Sequence, residues 1–437
     1  MKICMFTNTY LPHVGGVAKS VDAFGRNLRA FGHKVLIIAP QFPNTNPKED
    51  TGVYRLPAIQ NFNGSDFSVH IPVPYHLKDR LADFKPDIMH THHPFLLGDT
   101  ALRASRLHDV PLIFTHHTRY EEYTHYVPFD SRILKRFVIN LSTLYANMCS
   151  WVVAPSKSIA DLLSQRGVNT PISVIPTGID PGLFDKGEGG QKRKELNIPE
   201  QAFVIGHLGR LAPEKNLEFL ARAAAKFAAK NKDSYFLVVG NGPEIKTLQD
   251  IFAEKGLLSR LVLAGTQTGE DLYSVYKAMD VFIFSSFSET QGLVVAEAMA
   301  AGLPVVALDA PGVRDVVQDG ENGRLLSAGS GTEDFARAVA GIYSSPDKTR
   351  AMRENARQTA RGLTREKCSR SLEALYLRAV ENHSREDKKL DLKSWESLQK
   401  SLDVEWDLLT QKTNAIINAV YPYSTKESKP GLNEKNN

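Results

Sequence analysis

At 437 residues the chain is too long for one hydrophobic core, and we expect two or three domains of roughly 150 residues each. Its 53 Lys and Arg residues nearly balance its 49 Asp and Glu residues, and a net charge of +4 excludes a global basic field of the kind that gathers nucleic acid. No stretch approaches the ~20 apolar residues of a membrane span. We therefore expect a soluble protein or one bound peripherally to a membrane.

The cysteines and the first residues indicate the compartment. Cys4, Cys149 and Cys368 lie far apart, are odd in number and lack CxxC spacing, which is typical of a reducing environment. The apolar run ICMF near the N-terminus is too short for a signal peptide. We expect a cytoplasmic location.

Short β-branched runs alternate with helical patterns through the first part of the chain. Strands that are buried on both faces and joined by helices predict a parallel sheet. The runs are KICMF (2–6), KVLIIAP (34–40), DIMHTHH (87–93), PLIFTHH (111–117), WVVAPS (151–156) and SVIPTGID (173–180).

A polar, glycine-rich stretch at 185–201 reads as a hinge, after which the same alternation restarts. We expect domains at 1–180 and 181–365 facing a cleft, where small molecules usually bind. A helix at 366–385 is expected to pack back on the first domain, and a helical extension with a disordered tail is expected at 386–437. The second series of strands is FVIGHLGR (203–210), YFLVVGNGP (235–243), LVLAGTQ (261–267), VFIFSS (281–286) and PVVAL (304–308).

Dinucleotide and metal sites are poorly supported. The candidate glycine loops, VGGV at 14–17 and GNGP at 240–243, both lack the third glycine of a dinucleotide fingerprint, and no P-loop occurs. His90, His92 and His93 follow one strand and His116 and His117 the next, but neighbouring residues on a strand point to opposite faces. No D-x-D motif is present. We expect no cofactor and no metal.

Two segments favour a diphosphate site. After a strand, GHLGRLAPEKN (206–216) offers Arg210 and Lys215, and two such cations suit a diphosphate. Glu289 precedes Gly292 and a helix predicted to begin near Leu293, where N–H groups and the helix dipole favour an anion. Glu297 lies one turn inside that helix in an apolar stretch, and a buried acid without a partner is costly. Two carboxylates around an anion site suggest a sugar nucleotide.

The ordered motifs make the chain resemble a family 4 retaining glycosyltransferase of the GT-B fold over residues 1–385. That resemblance implies two Rossmann-like, doubly wound α/β domains and metal-independent transfer of a sugar from a nucleotide donor with retention of configuration. The motifs are LPHVGGV (11–17), FTHHT (114–118), VIPTGID (174–180), GRLAPEKN (209–216), GNGP (240–243), the pair of acids eight positions apart, and AGLPVVA (301–307).

The same resemblance assigns roles to residues on both sides of the cleft. It implies that His117 is the active-site histidine, although His116 stands beside it and which of the two faces the sugar is left open. The implied donor contacts are Gly15, Gly16, Arg210 and Lys215 on the diphosphate, backbone of Gly292, Leu293 and Val294 on the phosphates, Glu289 on sugar hydroxyls and Glu297 on the ribose.

One departure from the broad family pattern narrows the branch. Glu289-Thr290-Gln291-Gly292 stands where many members read Glu-Gly-Phe-Gly, and with HHTRYEEYTHYVP (116–128) it resembles the branch that glucosylates diacylglycerol. The residues that this assigns to the acceptor side are Arg119, Tyr120, Glu121 and Tyr123.

The helix predicted at 131–148 carries Arg132, Lys135 and Arg136 on one face, beside an apolar stripe with Ile133 and Phe137. This strip predicts peripheral binding to an anionic membrane, at the inner face of the cell membrane. UDP-glucose and diacylglycerol are the favoured substrates. GDP-mannose or UDP-galactose with a soluble sugar, polyol or polymer acceptor, and a nucleotide-sugar binding protein without turnover, stay open as alternatives.

Overall fold

The computed structural model describes residues 1–13, 15–42, 51–59, 69–70, 75–124 and 131–383. The predicted extension and tail at 386–437 lie outside this part of the chain. The elements of the N-terminal domain are the strands β1 (Lys2–Phe6), β2 (Lys34–Pro40), β3 (Val53–Leu56), β4 (Ala58–Ile59), β5 (Val69–His70), β6 (Ile88–Thr91), β7 (Leu112–Thr115), β8 (Trp151–Ala154) and β9 (Ile172–Val174), and the helices α1 (Gly16–Ala30), α2 (Tyr75–Phe84), α3 (Leu97–Leu107), α4 (Arg132–Met148) and α5 (Lys157–Gln165).

A parallel seven-stranded sheet forms the centre of this domain, in the order β3-β2-β1-β6-β7-β8-β9. Its central strands are buried, except for Lys2 at the start of β1, because helices cover both faces. The short antiparallel pair β4 and β5 lies outside this sheet.

The C-terminal domain repeats the architecture with a parallel six-stranded sheet in the order β12-β11-β10-β13-β14-β15. Two Rossmann-like parallel sheets were predicted, and this prediction is confirmed. The elements are α6 (Pro181–Phe184), α7 (Gly189–Glu195), β10 (Phe203–Leu208), α8 (Leu217–Lys230), β11 (Ser234–Val239), α9 (Ile245–Glu254), β12 (Leu261–Leu263), α10 (Gly269–Lys277), β13 (Val281–Phe284), α11 (Leu293–Ala300), β14 (Val305–Leu308), β15 (Gly323–Leu326), α12 (Thr332–Tyr343), α13 (Pro346–Gly362) and α14 (Arg365–His383).

The interpretation of 185–201 as a hinge is wrong, because this stretch contains α7, which packs on α10. Its glycines allow close approach: a Cβ on Gly187 would lie 2.6 Å from the Tyr273 carbonyl, and one on Gly189 would lie 2.3 Å from the Lys277 oxygen. Arg193 of α7 also donates a hydrogen bond to the Asp280 carboxylate at 2.8 Å, which holds α7 in place. The polar composition reflects ion pairing on a packed surface.

The last described helix, α14, packs against α1 of the N-terminal domain. Leu372 and Tyr376 are fully buried in the same apolar cluster as Ile3 of β1. The Tyr376 hydroxyl lies 2.6 Å from His90 Nδ1, at the centre of the N-terminal sheet. After the C-terminal domain the chain therefore returns to the N-terminal domain through α14.

Strand order determines where a ligand can lie. In each sheet the order reverses beside the first strand of the domain, between β1 and β6 in one and between β10 and β13 in the other. Crevices at the carboxyl ends of strands at such a reversal are the usual ligand sites of open parallel sheets. The loops that follow β1, β10 and β13 carry the predicted donor contacts Gly15, Arg210, Lys215, Glu289 and Gly292.

Candidate active site

Lys215 and Glu289 meet at the strand reversal of the C-terminal sheet. Lys215 lies in the loop after β10 and Glu289 in the loop after β13, and the Lys215 Nζ to Glu289 Oε1 distance is 2.5 Å. Burial opposes both charges, but the mutual attraction outweighs it, so the pKa of Lys215 is raised and the pKa of Glu289 is lowered. The two side chains are 16% and 18% exposed, so the ion pair is shielded yet reachable from the cleft.

Arg210 is less enclosed than Lys215. Its side chain is 49% exposed, and its guanidinium pairs with the carboxylate of Glu214, which is 4% exposed. The two predicted diphosphate-binding cations therefore each have a carboxylate partner in the structure. Glu214 was not singled out from the sequence, because a glutamate in a charged loop carries no local pattern that identifies it.

The N-terminus of α11 opens onto the same loop. Gly292 is the N-cap with φ of 66°, a left-handed conformation that glycine adopts without strain. A Cβ there would lie 3.1 Å from the Gly312 carbonyl oxygen. The N–H groups of Leu293 and Val294 lie in the first helical turn, where no preceding turn supplies an acceptor. This is an anion-binding geometry on a helix of eight residues.

Glu297 is buried, and its partner is Tyr276. The Tyr276 hydroxyl of α10 donates to Glu297 Oε2 at 2.9 Å. Burial, followed by the proximity of Glu297, raises the pKa of Tyr276 well above its usual value, so the tyrosine stays protonated and able to donate. Sequence reasoning missed Tyr276, because it lies 21 positions from Glu297 on another helix.

The two adjacent histidines differ sharply in environment. His116 is fully buried, with the rings of Phe114 and Tyr120 packed edge-on against it at 5.8 and 5.9 Å. His117 is partly exposed, and its Nε2 lies 2.8 Å from Nδ1 of His92. Of the pair that the sequence could not separate, His117 is therefore the histidine that reaches the domain boundary.

Gly15 and Gly16 begin α1, the helix that follows β1. Gly15 is the N-cap in extended conformation, and a Cβ there would lie 3.3 Å from Nε2 of His13. A Cβ on Gly16 would meet nothing within 4 Å. The first turn of α1 holds no acidic residue, so this helix end can also approach an anion.

The loop 287–291 joins the two domains. Arg119 donates to the Phe287 carbonyl at 2.6 Å, and the Thr290 hydroxyl donates to the His117 carbonyl at 2.8 Å. Ser156 donates to the Thr290 carbonyl at 2.7 Å, and the Thr177 N–H donates to Gln291 Oε1 at 3.0 Å. These hydrogen bonds close the cleft at the loop that carries Glu289.

The segment predicted to contact the acceptor is largely engaged within the N-terminal domain. Glu121 is buried and accepts from Arg166 at 2.5 Å, while Arg119 reaches Glu122 at 2.7 Å. Burial tends to raise the pKa of Glu121, but Arg166 lowers it overall. Tyr120 packs its ring against His116. Tyr123, in the same segment, is half-buried.

Helix α4 presents a basic and apolar surface. Arg132 and Arg136 are exposed, Lys135 is half-buried, and Ile133 is 80% exposed despite its apolar side chain. Ser131 caps the helix by accepting from the Leu134 N–H at 3.1 Å. Over the described residues, no helix combines the length and apolar character needed to span a bilayer. In the same part of the chain, no three His, Cys, Asp or Glu side chains are grouped to hold a metal ion.

Comparison with known families identifies the chain. The description "Glycosyltransferase Family 4" matches residues 14–183, and "Glycosyl transferases group 1" matches residues 190–359. The chain belongs to glycosyltransferase family 4. The two matches cover most of the two sheets, and the predicted site residues from Gly15 to Glu297 fall within them.

Similar curated proteins cover most of the chain. Alpha-monoglucosyldiacylglycerol synthase of Acholeplasma laidlawii is 28% identical over 88% of this chain and 99% of its own length. The protein of the same name from Streptococcus pneumoniae is 30% identical over 79% of each chain. A GDP-mannose-dependent alpha-mannosyltransferase of Corynebacterium glutamicum is also 30% identical, over 75% of this chain and 76% of its own.

Among solved structures, HepE of Anabaena in complex with UDP superposes with a TM-score of 0.70. It is 21% identical, and the match covers 86% of this chain and 99% of that one. This similarity confirms the predicted GT-B fold.

Proposed function

We propose that the protein transfers glucose from UDP-glucose to diacylglycerol with retention of anomeric configuration. The observation that carries this proposal is the Lys215–Glu289 pair beside the α11 N-terminus, at the strand reversal of the C-terminal sheet. A cation, a helix N-terminus and a carboxylate at one point suit a sugar diphosphate, since the first two attract phosphate and the third accepts from sugar hydroxyls.

Lys215 can bind the diphosphate of the nucleotide sugar and Glu289 at the same time. An ammonium has three N–H donors, so one can stay with Glu289 while the others bind phosphate oxygens. Arg210 and the N–H groups of Leu293 and Val294 add charge and donors on the same side. Gly15 and Gly16 admit the diphosphate from the N-terminal domain, and the Glu297 carboxylate, oriented by Tyr276, accepts from the ribose.

The bond that breaks joins the sugar C1 to the diphosphate oxygen. Negative charge grows on that oxygen, where Lys215 and Arg210 stabilise it in a partly shielded site. The acceptor hydroxyl oxygen forms the new bond to C1 on the face that the diphosphate leaves, and its proton passes to a phosphate oxygen of the leaving UDP. No step requires a metal, because the cations take over the stabilisation that a metal would give.

Diacylglycerol as acceptor rests on α4 and on the relatives. Exposed Arg132 and Arg136 beside the exposed Ile133 form the kind of surface that holds a peripheral protein at an anionic bilayer. Two relatives, which cover 88% and 79% of this chain, are named as alpha-monoglucosyldiacylglycerol synthases. We therefore place the protein at the cytoplasmic face of the cell membrane.

The mannosyltransferase relative supports a second candidate, transfer from GDP-mannose to another acceptor. A donor and acceptor panel separates the two. Radiolabelled UDP-glucose, UDP-galactose and GDP-mannose are each incubated with diacylglycerol in mixed micelles, or with soluble sugars and polyols. Lipid product is counted in the organic phase, and soluble product is counted in the aqueous phase after unused donor has been removed. We expect label in lipid from UDP-glucose alone; soluble product from GDP-mannose would establish the second candidate.

The same panel distinguishes catalysis from mere binding and checks the metal. We expect transfer to continue in EDTA, because the proposed charge stabilisation comes from Lys215 and Arg210. Donor binding without any product, across all acceptors, would leave the nucleotide-sugar binding protein. Activity that is lost in EDTA and restored only by Mg²⁺ or Mn²⁺ would contradict metal independence.

A further inference from the structure

His92 and His117 form an imidazole pair at the domain boundary. His92 follows β6 and is fully buried, whereas His117 follows β7 and is partly exposed. Their rings lie 5.1 Å apart between centroids and are inclined by 25°, and His92 Nδ1 is 2.8 Å from His117 Nε2. One proton occupies that short contact, so one ring donates and the other accepts.

Both rings are neutral near neutral pH. Burial, reinforced by the neighbouring histidines, holds the pKa of His92 and that of His117 well below the usual value for histidine. Each ring therefore carries a single N–H. Two arrangements are possible, and they differ in which nitrogen of His117 keeps the proton.

The environment of His92 decides between them. Its other nitrogen, Nε2, is buried and has no hydrogen-bond partner in the described part of the chain. His90 stacks against His92 with centroids 4.2 Å apart, but both of its nitrogens are engaged, Nδ1 with the Tyr376 hydroxyl and Nε2 with the Thr115 hydroxyl. His90 therefore offers no acceptor to His92.

If His117 donated, the only proton of His92 would be a buried N–H without an acceptor. If His92 donates from Nδ1, its Nε2 keeps only a lone pair. Buried N–H groups without partners are rarer in proteins than buried acceptors without partners. The arrangement with His92 as donor is the more stable one.

We propose that His92 is a positioning residue that donates its Nδ1–H to His117 Nε2 and thereby keeps the proton of His117 on Nδ1. His117 then meets its ligand as a hydrogen-bond donor and not as a general base. Under the proposed function, on which this consequence rests, His117 binds a hydroxyl oxygen of the transferred sugar and leaves the acceptor proton to the diphosphate.

The tautomer can be measured without any substrate. The full chain is labelled with ¹⁵N-histidine, its imidazole resonances are recorded by long-range ¹H–¹⁵N correlation, and His117 is assigned by comparison with His117→Gln. We expect a protonated Nδ1 and an unprotonated, pyridine-type Nε2 in His117. A protonated Nε2, or an imidazolium in either ring, overturns the proposal whether or not the protein transfers glucose.

Two substitutions test the positioning role. The amide nitrogen of Asn can occupy the place of His Nδ1, so His92→Asn keeps a donor, whereas His92→Phe keeps an aromatic ring and loses it. We expect His92→Phe to lower kcat about tenfold, as for one lost hydrogen bond in the transition state, and His92→Asn to stay within about twofold of wild type. Wild-type kcat in a folded His92→Phe variant would overturn the role. If that variant does not fold, the NMR measurement of the His117 tautomer in the wild-type protein tests the proposal.

Discussion

Lys215 and Glu289 form an ion pair, and replacing either residue alone should affect both turnover and stability. A single substitution removes one proposed contact with the nucleotide sugar. It also leaves the other member of the pair as a shielded charge without a partner, which destabilises the fold. We expect Lys215→Met and Glu289→Gln each to lower turnover about a hundredfold or more. The double substitution should recover thermal stability relative to either single variant while staying inactive.

A matched control is available in α8, where Arg222 pairs with Glu218 at 2.9 Å on the surface. Glu218→Gln should leave both kcat and the melting temperature near wild type, because exposed pairs contribute little. Melting curves and initial rates on the same preparations decide the matter. Full activity in purified Lys215→Met or Glu289→Gln would remove these residues from the site.

At this scale the sequence predicts residue identities better than their contacts. Glu289, Glu297 and Lys215 stand out because they follow strands or lie in helix starts with glycine neighbours. Their partners do not: Tyr276 lies on another helix, and His92 was considered only as a metal ligand. Partner choice depends on how the two sheets bring loops together, and no local pattern encodes it.

At the scale of secondary structure, buried strands were easier to predict from the sequence than partly buried edge strands. The strands β2, after its first residue Lys34, and β13 are apolar and buried, and the sequence predicts both. The edge strands β3 and β15 are only partly buried, so their runs VYRL and GRLL carry no comparable pattern and were missed. The 185–201 stretch was predicted as a hinge because it is rich in glycine and charged residues. In the structure these glycines allow close packing and the charges form ion pairs.

Helix α4 provides the prediction at this scale. Each basic residue near an anionic surface contributes ~1 kcal/mol, so Arg132, Lys135 and Arg136 together change partitioning by up to about a hundredfold. We expect vesicles rich in anionic lipid to bind the protein and stimulate it, and high salt to release it. Replacing all three residues by Ser should abolish sedimentation with these vesicles and leave donor binding intact.

The control removes three charges elsewhere, from the exposed positions Lys348, Arg350 and Arg361 of α13. That variant should sediment as wild type does. Equal sedimentation of wild type and the α4 variant, with anionic and neutral vesicles alike, would favour a soluble acceptor over a lipid.

On the scale of the whole molecule, alternating strands and helices predicted two parallel sheets, but not the contacts that close the cleft between them. Thr290 and Gln291 illustrate the difference. Their departure from the Gly and Phe common in the family was visible in the sequence, whereas their hydrogen bonds to the His117 carbonyl and the Thr177 N–H required the assembled domains.

These contacts predict that Thr290 and Gln291 stabilise the closed cleft. Thr290→Val and Gln291→Met remove the hydrogen bonds with little change in volume, and we expect each to lower kcat about tenfold and to lengthen the interdomain distance measured by fluorescence energy transfer. Thr290→Ser keeps the hydroxyl donor, so it should resemble wild type. Unchanged distances and rates in the Val and Met variants would show that closure does not depend on this loop.

The configuration of the product tests the central proposal most directly. In UDP-glucose the sugar is α-linked, so retaining transfer to diacylglycerol yields an α-glucosyl lipid, whereas inversion yields the β anomer. The lipid formed from UDP-glucose and diacylglycerol would be purified and its anomeric proton coupling measured by ¹H NMR. We predict the small coupling of an α-glucoside on the glycerol hydroxyl; a β-glucoside, or no glucolipid from an active preparation, would contradict the account.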